Sequence, residues 1–324
     1  MSRNFAITGV GGYIAPRHLK AIRDTGNRLV AAADPNDSVG VLDRYFSNVE
    51  FFKEFERFDR HLDKLRRAGE GERVHYLSVC SPNYLHDAHC RLALRLGADV
   101  ICEKPVVLNP WNIDALHELE HESGRRIFTV LQLRVHPVLQ ALRERIRAEA
   151  KSGRHEVTLS YVTSRGPWYL VSWKGQKERS GGLATNIGIH FFDLLIWLFG
   201  DAGESVVHYS DARRTSGTLE LDRARVSWFL SIDPADLPPA AVAAGQPTFR
   251  SITMDGTEVE FSEGFTELHT EIYRRILAGD GFGLEDALPS IRLAHAIREA
   301  TADGDLAAAH PAALRASASG PAIR

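Results

Sequence analysis

In the first part of the chain, short apolar runs alternate with segments whose apolar residues recur at helical spacing. This pattern predicts strands over residues 5–10, 28–35, 74–82, 98–105 and 125–133, and helices over residues 15–26, 55–69, 84–97 and 109–124. Strands that alternate with helices are typical of an α/β fold with a Rossmann-type, doubly wound parallel sheet. Ligands of such sheets bind beyond the carboxyl ends of the strands, so functional residues are expected directly after the apolar runs.

The pattern changes near residue 128, after which strands follow one another with short turns. Strands are predicted over 155–164, 204–212, 217–222, 223–233, 248–256 and 257–262, helices over 267–279 and 284–302, and a loop that enters a helix over 180–200. This order is typical of an α+β domain with an open, largely antiparallel sheet that helices cover on one side. We therefore expect a dinucleotide-binding domain over 1–128 and a substrate-binding and oligomerisation domain over 129–324, with loops over 234–247 and after about residue 303.

The uncovered sheet face and the charge balance limit the classes of partner. A broad sheet face usually finds a partner, so we expect a homo-oligomer, either a dimer or a tetramer. The net charge is −3 without a long basic run, which argues against a nucleic-acid partner.

The most apolar stretch, FFDLLIWLFG, has about half the length of a membrane span. With no secretory-signal pattern at the start, we expect a cytoplasmic protein without a membrane partner.

The turn after the first predicted strand, GVGG, approaches the dinucleotide-binding fingerprint. Gly9 and Gly11 match its first two glycines, whereas Ile14 holds the third position. Asp34 ends the second predicted strand, near the spacing of the acid that binds the adenosine ribose. Because a carboxylate there would repel a 2′-phosphate, NAD is favoured over NADP as the cofactor.

The stretch DVICEKPVVLNP places Glu103, Lys104 and Pro105 at the end of another predicted strand. Oxidation of a secondary alcohol requires a base for the hydroxyl proton, and Lys104 is a candidate. Partial burial and a nearby cationic nicotinamide would both lower the pKa of a lysine toward neutrality. Glu103 is expected either to orient Lys104 or to bind the cofactor ribose.

Two groups of histidines and cysteines, which are residue types that can bind metals, do not predict a metal site. The sequence HELEH places His117 and His121 at the spacing of zinc proteases, but on the helix face opposite the apolar stripe, where solvation is expected. The three cysteines, Cys80, Cys90 and Cys102, lack paired spacing and are expected to be small buried apolar residues. We therefore predict no metal.

The segments GVGG, SPNYLH, CEKP and GGLATNIGIHFFD together resemble the Gfo/Idh/MocA oxidoreductases over most of the chain. The resemblance implies hydride exchange between NAD(P) and a sugar or cyclitol carbon, with Lys104 and His190 as the catalytic pair. It leaves open which of the two is the base. The cofactor-binding residues expected from the motifs and the resemblance are Gly9, Gly11, Gly12, Tyr13, Ile14, Asp34, Ser81, Pro82, Asn83, His86, Glu103, Lys104 and Gln132.

Within this family the chain is most similar to the branch that oxidises the C3 hydroxyl of UDP-N-acetylglucosaminuronic acid for bacterial surface polysaccharides such as O-antigen. The family often has Asp four residues before the histidine; this chain has Asn186, as that branch does. Such a substrate carries a pyrophosphate and a carboxylate, which basic side chains bind, and a uracil on which an aromatic ring such as Trp168 can stack. The expected substrate-binding residues are Lys104, Arg134, Arg165, Tyr169, Lys174, Thr185, Asn186 and His190.

Two alternatives remain open at this point. The first is an inositol or simple sugar dehydrogenase of the same family, and the second is a non-enzymatic nucleotide-sensing protein on this fold. Retention of both Lys104 and His190 argues against the second alternative. The resemblance also allows 2-oxoglutarate to act as the oxidant that regenerates bound NAD.

Overall fold

The computed structural model describes residues 2–149, 153–261 and 264–318. The chain divides into two compact units, of which the first comprises Met1–His136 and Gly264–Leu288, and the second Pro137–Glu263 and Pro289–Arg324. The division differs from the expected one, because a segment late in the chain returns to the first unit. Each unit contains one six-stranded sheet.

The first unit contains a parallel sheet in the order β3-β2-β1-β4-β5-β6, which is the strand order of doubly wound dinucleotide-binding domains. The α/β prediction is therefore confirmed. The strand β3 was not predicted, because it has only three residues and lies at the edge of the sheet, where a buried apolar run is not required. The strands are β1 (Asn4–Thr8), β2 (Arg28–Ala33), β3 (Glu50–Phe52), β4 (Tyr76–Val79), β5 (Asp99–Cys102) and β6 (Ile127–Thr129). The connecting helices are α1 (Ala15–Asp24), α2 (Phe55–Ala68), α3 (His86–Arg95) and α4 (Trp111–Ser123).

The second unit contains a mixed sheet in the order β12-β11-β7-β10-β9-β8. Strands β7 and β10 pair in parallel, and the other neighbouring strands pair antiparallel. The sheet is therefore largely antiparallel, as predicted. The strands are β7 (His155–Thr163), β8 (Ala202–Ser210), β9 (Arg214–Leu221), β10 (Ala224–Ser231), β11 (Thr248–Met254) and β12 (Thr257–Glu258). The helices that precede or connect these strands are α5 (Pro137–Ala148), α6 (Trp168–Val171), α7 (Lys177–Ser180), α8 (Ile189–Phe199) and α9 (Pro239–Ala243).

Helix α8 forms the centre of the second unit's core. Phe192 is fully buried and meets Trp228 of β10 edge to face, with ring centroids 5.5 Å apart. The helical stretch Lys177–Phe199, with 23 residues and a mean hydropathy of 1.5, is long and apolar enough to cross a membrane, but 72% of its most apolar window is buried inside the protein. This degree of burial is that of a core helix, in agreement with the sequence interpretation.

The segment that returns to the first unit carries α10 (Leu268–Leu277) and the start of α11 (Leu284–Glu299). Helix α10 packs against α1. Its Ile272, Tyr273 and Ile276 belong to the same buried cluster as Leu19 and Ile22 of α1. The sequence placed this segment in the second domain because order along the chain does not reveal such a return.

Two segments expected to be loops contain helices. Helix α9 lies within 234–247, and α12 (Pro311–Ala318) lies in the tail. Ala313 of α12 is fully buried in a cluster with Val162 and Phe229 on sheet strands of the second unit. The Ala-rich composition that was interpreted as a loop is also favourable for a helix once such a surface is available. The expected strand 257–262 is reduced to Thr257–Glu258, and residue 262 lies outside the described residues.

Candidate active site

The turn after β1 passes very close to the turn after β4. Gly9 has φ +76°, and a Cβ placed there would lie 2.5 Å from the carbonyl oxygen of Cys80. Its N–H donates to the carbonyl of Ala33 at the end of β2 at 2.8 Å. Only glycine satisfies both the left-handed backbone and the close approach, so Gly9 is required where three strand ends meet.

Asp34 and Gly11 lie side by side at this edge. The Gly11 N–H donates to Asp34 Oδ2 at 2.9 Å, and Oδ1 accepts from the backbone N–H of Asn36 at 2.9 Å. A Cβ on Gly11 would approach the carboxylate at 3.2 Å. The arrangement fixes the Asp34 carboxylate against the glycine turn, which is where the sequence prediction places the adenosine ribose.

The amino end of α1 begins immediately after this turn. Its first turn contains no acidic residue, and Ile14 at the N-cap provides no side-chain cap. Pro16 has no N–H, and the Ala15 and Arg17 N–H groups donate to the carbonyls of Gly12 and Ile14 at 3.2 and 3.0 Å. The amino end of α1 therefore offers an anion mainly the positive end of the helix dipole. Gly12 closes the turn through its N–H to the carbonyl of Gly9 at 3.0 Å. Tyr13 is 88% exposed and projects its ring from this turn.

Two buried histidines form hydrogen bonds with the segment after β4. Ser81 Oγ lies 2.9 Å from His89 Nδ1, and Ser81 O lies 2.7 Å from His86 Nε2. The other ring nitrogen of His86 lies 2.7 Å from the carbonyl oxygen of Pro105. His86 thus joins the segment after β4 to the segment after β5. Of the neighbouring predicted residues, Pro82 is extended with ψ 144°, and Asn83 is buried at the start of a short 3₁₀ turn.

The segment after β5 carries the Glu-Lys-Pro motif. Glu103 is buried, and its Oε1 lies 3.0 Å from both His18 Nε2 and His269 Nε2. Burial by itself raises the pKa of Glu103, but the bonds to the two imidazoles outweigh that effect and hold the pKa well below its usual range. Glu103 Oε2 accepts from the Lys104 backbone N–H at 3.3 Å, and the Lys104–Pro105 peptide bond is cis.

Two predicted residues follow β6 in the first unit. Gln132 begins a 3₁₀ turn, and its buried Oε1 has no hydrogen-bond partner among the described residues. Arg134 is buried and donates to Asp286 through its Nη1 to Oδ1 at 3.0 Å and through its Nη2 to the backbone O at 2.8 Å. The Arg134 guanidinium also lies over the Phe282 ring, 5.4 Å from its centroid. Arg134 therefore supports the fold of the first unit, and its contact with substrate stays a prediction.

In the second unit, the predicted residues Tyr169 and Asn186 bind each other. Asn186 Nδ2 donates to the Tyr169 hydroxyl at 2.5 Å, and Tyr169 is buried. Burial raises the pKa of Tyr169, so its hydroxyl stays protonated at neutral pH. Thr185, next to Asn186, is buried with an Oγ1 that has no partner among the described residues.

The basic and aromatic segment 164–179 folds into short helical turns. Trp168 is 77% exposed and Val171 is 66% exposed, whereas Lys174 is partly buried with its ammonium 5.7 Å from the centroid of the Trp173 ring. Burial, and secondarily the neighbouring charge of Arg165, lowers the pKa of Lys174. The segment presents an aromatic surface next to cationic groups.

His190 is the second residue of α8, and a π-helical turn over Ala184–Gly188 leads into that helix. Such turns are frequent at functional sites because they displace the side-chain register of a helix. Gly188 allows the turn to approach the sheet, since a Cβ there would lie 2.6 Å from Leu230 Cδ1. His190 is half-buried, and Thr185 and Asn186 lie within the π-helical turn that precedes it.

Sequence reasoning missed the partners of Glu103. His18 and His269 were not singled out, and neither were Tyr273 and Ser78, whose hydroxyl oxygens lie 2.6 Å apart. A weak signal was available for His18, because it lies on the apolar stripe of α1 with Ala15, Leu19 and Ile22. The contact between His18 and Glu103 joins residues 85 positions apart, so it could not be inferred from a local pattern.

The HELEH motif does not gather zinc ligands in the described part of the chain. His117 Nδ1 lies 3.3 Å from Glu120, and His117 Nε2 lies 3.1 Å from Glu285. Among the described residues, the group whose ligand atoms lie close enough to hold an ion is His18, Glu103 and His269, within 4.8 Å of one another.

Comparison with known families decides the assignment. The model of the oxidoreductase family with an NAD-binding Rossmann fold matches residues 3–131, and the model of that family's C-terminal alpha/beta domain matches residues 155–232. The chain belongs to the Gfo/Idh/MocA family of oxidoreductases. This confirms the resemblance, the oxidoreductase class and NAD as the cofactor of the first unit.

Solved structures of other family members share the fold over nearly the whole chain. The WlbA (WbpB) dehydrogenase from Thermus thermophilus, in complex with NAD and UDP-GlcNAcA, is 54% identical, has a TM-score of 0.90, and aligns over 95% of this chain and 99% of its own. The same dehydrogenase has been solved with NAD and alpha-ketoglutarate. The WlbA dehydrogenase from Bordetella pertussis is 22% identical, with a TM-score of 0.75 over 94% of this chain and 98% of its own, and so shows likeness of fold alone.

Curated relatives match shorter parts of the chain. A putative UDP-kanosamine synthase oxidoreductase subunit from Amycolatopsis mediterranei is 37% identical over 38% of this chain and 34% of its own length. The inositol 2-dehydrogenase of Rhizobium meliloti is 27% identical over 64% of this chain and 58% of its own length. The chain thus spans about a third to three fifths of these curated Gfo/Idh/MocA relatives.

The residues present fit the dinucleotide. Gly9 and Gly11 leave space where a Cβ would collide, the first turn of α1 carries no acidic side chain, and Gln132 Oε1 has no hydrogen-bond partner among the described residues. These features belong to the carboxyl edge of the parallel sheet, where Gfo/Idh/MocA proteins are expected to bind NAD.

Proposed function

We propose that this protein oxidises the C3 hydroxyl of UDP-N-acetylglucosaminuronic acid to the 3-oxo sugar with NAD, in bacterial surface polysaccharide biosynthesis. The observation that carries the proposal is the 54% identity, over 95% of this chain, to a dehydrogenase solved with NAD and UDP-GlcNAcA. The residues of the Glu-Lys-Pro motif and of the segment around His190 support it, because they supply acid–base groups in both units.

Bound NAD would supply the acceptor for the hydride that leaves the sugar carbon. Lys104 and His190 then act on the hydroxyl oxygen, one as the base that removes its proton and the other as a hydrogen-bonding partner. Glu103 holds the backbone N–H of Lys104 at 3.3 Å, so the lysine leaves β5 from a supported position. General acid–base catalysis of this kind contributes about 10²- to 10⁴-fold.

Cofactor binding is assigned to the edge of the first unit. The glycine turn and the amino end of α1 bind the pyrophosphate, and Asp34 binds the adenosine ribose. The other predicted contacts are Tyr13, Ile14, Ser81, Pro82, Asn83 and Gln132. His86 acts on this site through Ser81 and Pro105, whose carbonyl oxygens it faces.

Substrate binding is assigned mainly to the second unit. Arg165 and Lys174 suit the pyrophosphate and carboxylate, and the exposed Trp168 suits the uracil ring. Thr185 Oγ1 is buried without a partner among the described residues, so it can bind a sugar hydroxyl without breaking an internal bond.

NAD regeneration by 2-oxoglutarate completes the proposal. The relative solved with NAD and alpha-ketoglutarate supports this choice of oxidant. The two electrons taken from the sugar would reduce the 2-oxo acid to the 2-hydroxy acid. We further propose a cytoplasmic homo-oligomer, which places the enzyme with its nucleotide-sugar and 2-oxo acid substrates.

The test is a substrate panel of UDP-GlcNAcA, UDP-GlcNAc, UDP-glucuronic acid, myo-inositol and glucose, each with NAD and with or without 2-oxoglutarate. We expect a 3-oxo sugar from UDP-GlcNAcA, in larger amount when 2-oxoglutarate is present. Turnover of myo-inositol with inert UDP-sugars would replace the proposal by the inositol dehydrogenase alternative, which the inositol 2-dehydrogenase relative favours. Ligand binding without any oxidised product would favour the nucleotide-sensing alternative.

A further inference from the structure

A buried polar network surrounds the residue that precedes Lys104. We call it the Glu103 network; its members are His18, Ser78, Glu103, His269 and Tyr273, and all are buried in the first unit. Both imidazoles place Nε2 at 3.0 Å from the same carboxylate oxygen, Oε1 of Glu103. The network lies in the interior, beneath the strand edge that carries the candidate catalytic lysine.

The ionised carboxylate restricts where the protons of the network lie. The pKa of Glu103 is well below its usual range, so its carboxylate is ionised and only accepts, and both histidines must carry hydrogen on Nε2. When His18 is neutral, its Nδ1 accepts from the Tyr273 hydroxyl, 2.8 Å away. That hydroxyl in turn accepts from Ser78 Oγ at 2.6 Å. Each bond in this chain fixes the next.

The Glu103 carboxylate is the negatively charged group of the network. Burial lowers the pKa of His269, which favours its neutral form. Burial also raises the pKa values of the Tyr273 hydroxyl and of the nearby thiols of Cys80 and Cys102, so these groups stay neutral at pH 7. Glu103 therefore places a negative charge directly before the Lys104 ammonium in the chain.

The two neighbours of Lys104 in the sequence are both anchored by histidines. On one side, His18 and His269 bind the Glu103 carboxylate, whose second oxygen accepts from the Lys104 N–H at 3.3 Å. On the other side, His86 Nδ1 lies 2.7 Å from the carbonyl oxygen of Pro105. The backbone of Lys104 is thereby fixed from both directions by buried side chains that themselves lie at most 8% exposed.

A metal ion is the competing interpretation of His18, Glu103 and His269, which the ligand-atom spacing permits. The hydrogen-bond assignment accounts for both Nε2 atoms without an ion. It also uses His18 Nδ1 as an acceptor, so that all the polar atoms of His18 are bonded. We therefore favour hydrogen bonds over metal ligation.

We propose that His18 and His269 are positioning residues of the reaction, which act through the Glu103 carboxylate to set the placement and the protonation of Lys104. The inference rests on the proposed function for its kinetic consequence, but the coupling itself is a property of the unliganded protein. Loss of the two imidazole N–H donors would leave the Lys104 backbone N–H, at 3.3 Å, as the hydrogen bond that still supports the carboxylate. Burial would then raise the pKa of Glu103, so that it takes up a proton. Lys104 would lose an adjacent negative charge and its backbone anchor.

The experiment compares variants that remove or retain the N–H donor. In His18→Leu/His269→Leu neither side chain can donate to Glu103 Oε1, whereas in His18→Gln/His269→Gln a side-chain amide can replace each Nε2–H. We expect the leucine pair to lower kcat about 10- to 100-fold while the KM for NAD changes less than about 3-fold, since misplacement acts on the chemical step. The glutamine pair should recover kcat to within about 5-fold of the wild type, because each amide restores a hydrogen-bond donor.

A control and a second variant keep the test decisive. His208 is an equally buried imidazole of the second unit, bonded to Asp303 and Thr218, and His208→Leu should leave kcat unchanged. If the leucine pair does not fold, Tyr273→Phe removes only the hydroxyl that fixes the His18 tautomer. That variant should lower kcat about 2- to 5-fold, which corresponds to the net loss of one hydrogen bond.

A second readout does not depend on activity. Competitive labelling of Lys104 with acetic anhydride, followed by mass spectrometry across pH, measures where this amine titrates. In the leucine pair we expect the titration to move to lower pH by at least about half a unit, because a neutral Glu103 no longer favours the ammonium. If no sugar is oxidised by the wild type, the proposed function fails, yet this labelling still tests the coupling.

Three results would overturn the inference. One is a normal kcat and an unchanged Lys104 titration in a folded leucine pair. Another is equal loss in the leucine and glutamine pairs, which would mean that the imidazoles act by shape. The third is stoichiometric zinc in the purified wild type that is lost in His269→Leu, since a metal would displace the proposed N–H bonds.

Discussion

The two units hold their candidate functional residues in opposite ways. At the carboxyl edge of the parallel sheet, the Glu-Lys-Pro segment is supported by buried bonds, with Glu103 and His86 both at most 8% exposed. In the second unit, segment 164–179 is made of short helical turns and exposes Trp168 and Val171. From this difference we infer that the first unit holds the reacting groups in fixed positions and that the second presents an exposed surface for substrate recognition.

The first unit's lysine should give the largest effect. Lys104→Met removes the titratable amine while keeping much of the side chain's length, so we expect turnover to fall at least about 100-fold, up to about 10⁴-fold, or roughly 3–5 kcal/mol in the barrier. Steady-state kinetics with UDP-GlcNAcA and a fluorescence titration with NADH measure the two consequences. NAD affinity should persist, and near-normal turnover would remove Lys104 from its catalytic role.

The glycine turn should give the next largest effect. In Gly9→Ala the new Cβ meets the Cys80 carbonyl oxygen at 2.5 Å and the backbone has φ +76°. Strain and collision together should lower the free energy of unfolding by about 2–4 kcal/mol and weaken NAD binding. Gly26 is the matched control, with φ +75° and nothing within 4 Å of its Cβ position. Gly26→Ala should show only the backbone penalty of about 1–2 kcal/mol; equal losses in denaturant unfolding would rule out the close approach as the cause.

Buried histidines in the second unit should affect stability and not the reaction. Burial lowers the pKa of His310 to about 4, and its Nδ1 accepts from the Ala312 N–H at 3.0 Å at the start of α12. Because the unfolded chain binds this proton near pH 6.5, stability falls as pH drops from 6.5 toward 4, by about 2 kcal/mol between pH 6.5 and 5.

The matched change is His310→Asn, in which Asn Oδ1 can still accept from Ala312 but cannot titrate. Denaturant unfolding at several pH values should therefore show a flatter dependence in the variant between pH 6.5 and 5. The kcat at pH 7.5 should equal that of the wild type. An identical pH dependence in both proteins would contradict the assignment of this proton.

The exposed aromatic of the second unit should give the smallest effect. Trp168→Ala should raise the KM for UDP-GlcNAcA about 5- to 30-fold, or roughly 1–2 kcal/mol of stacking on uracil, without lowering Tm. Val171→Ala is the control, because Val171 is a neighbouring exposed apolar side chain without a ring. If the two variants change KM equally, stacking by Trp168 is not involved.

The sequence predicted most of the first unit because its signals are local. Strand, turn and helix follow one another within 30 residues, so the glycine turn and Asp34 could be recognised together and the structure places them 2.9 Å apart. The Glu-Lys-Pro motif was likewise recognised from one stretch of chain. The fold class is confirmed in both units.

The parts that sequence did not predict depend on distant partners. Helix α10 belongs to the first unit, and its His269 contacts Glu103, 166 positions away in the sequence. No local sequence pattern indicates such a contact. Helix α12 forms on the buried surface around Val162 and Phe229, so its Ala-rich sequence was interpreted as a loop. Burial of Arg134 against Asp286, across 152 positions, has the same origin.

The most direct test of the account is a single turnover with UDP-GlcNAcA that carries deuterium at C3, mixed with excess enzyme and NAD. We predict that mass spectrometry finds the deuterium in the reduced cofactor, that a 3-oxo sugar forms in equal amount, and that Lys104→Met forms neither at a comparable rate. Deuterium retained in a sugar that is nonetheless consumed, or a product oxidised at another carbon, would contradict the central claim.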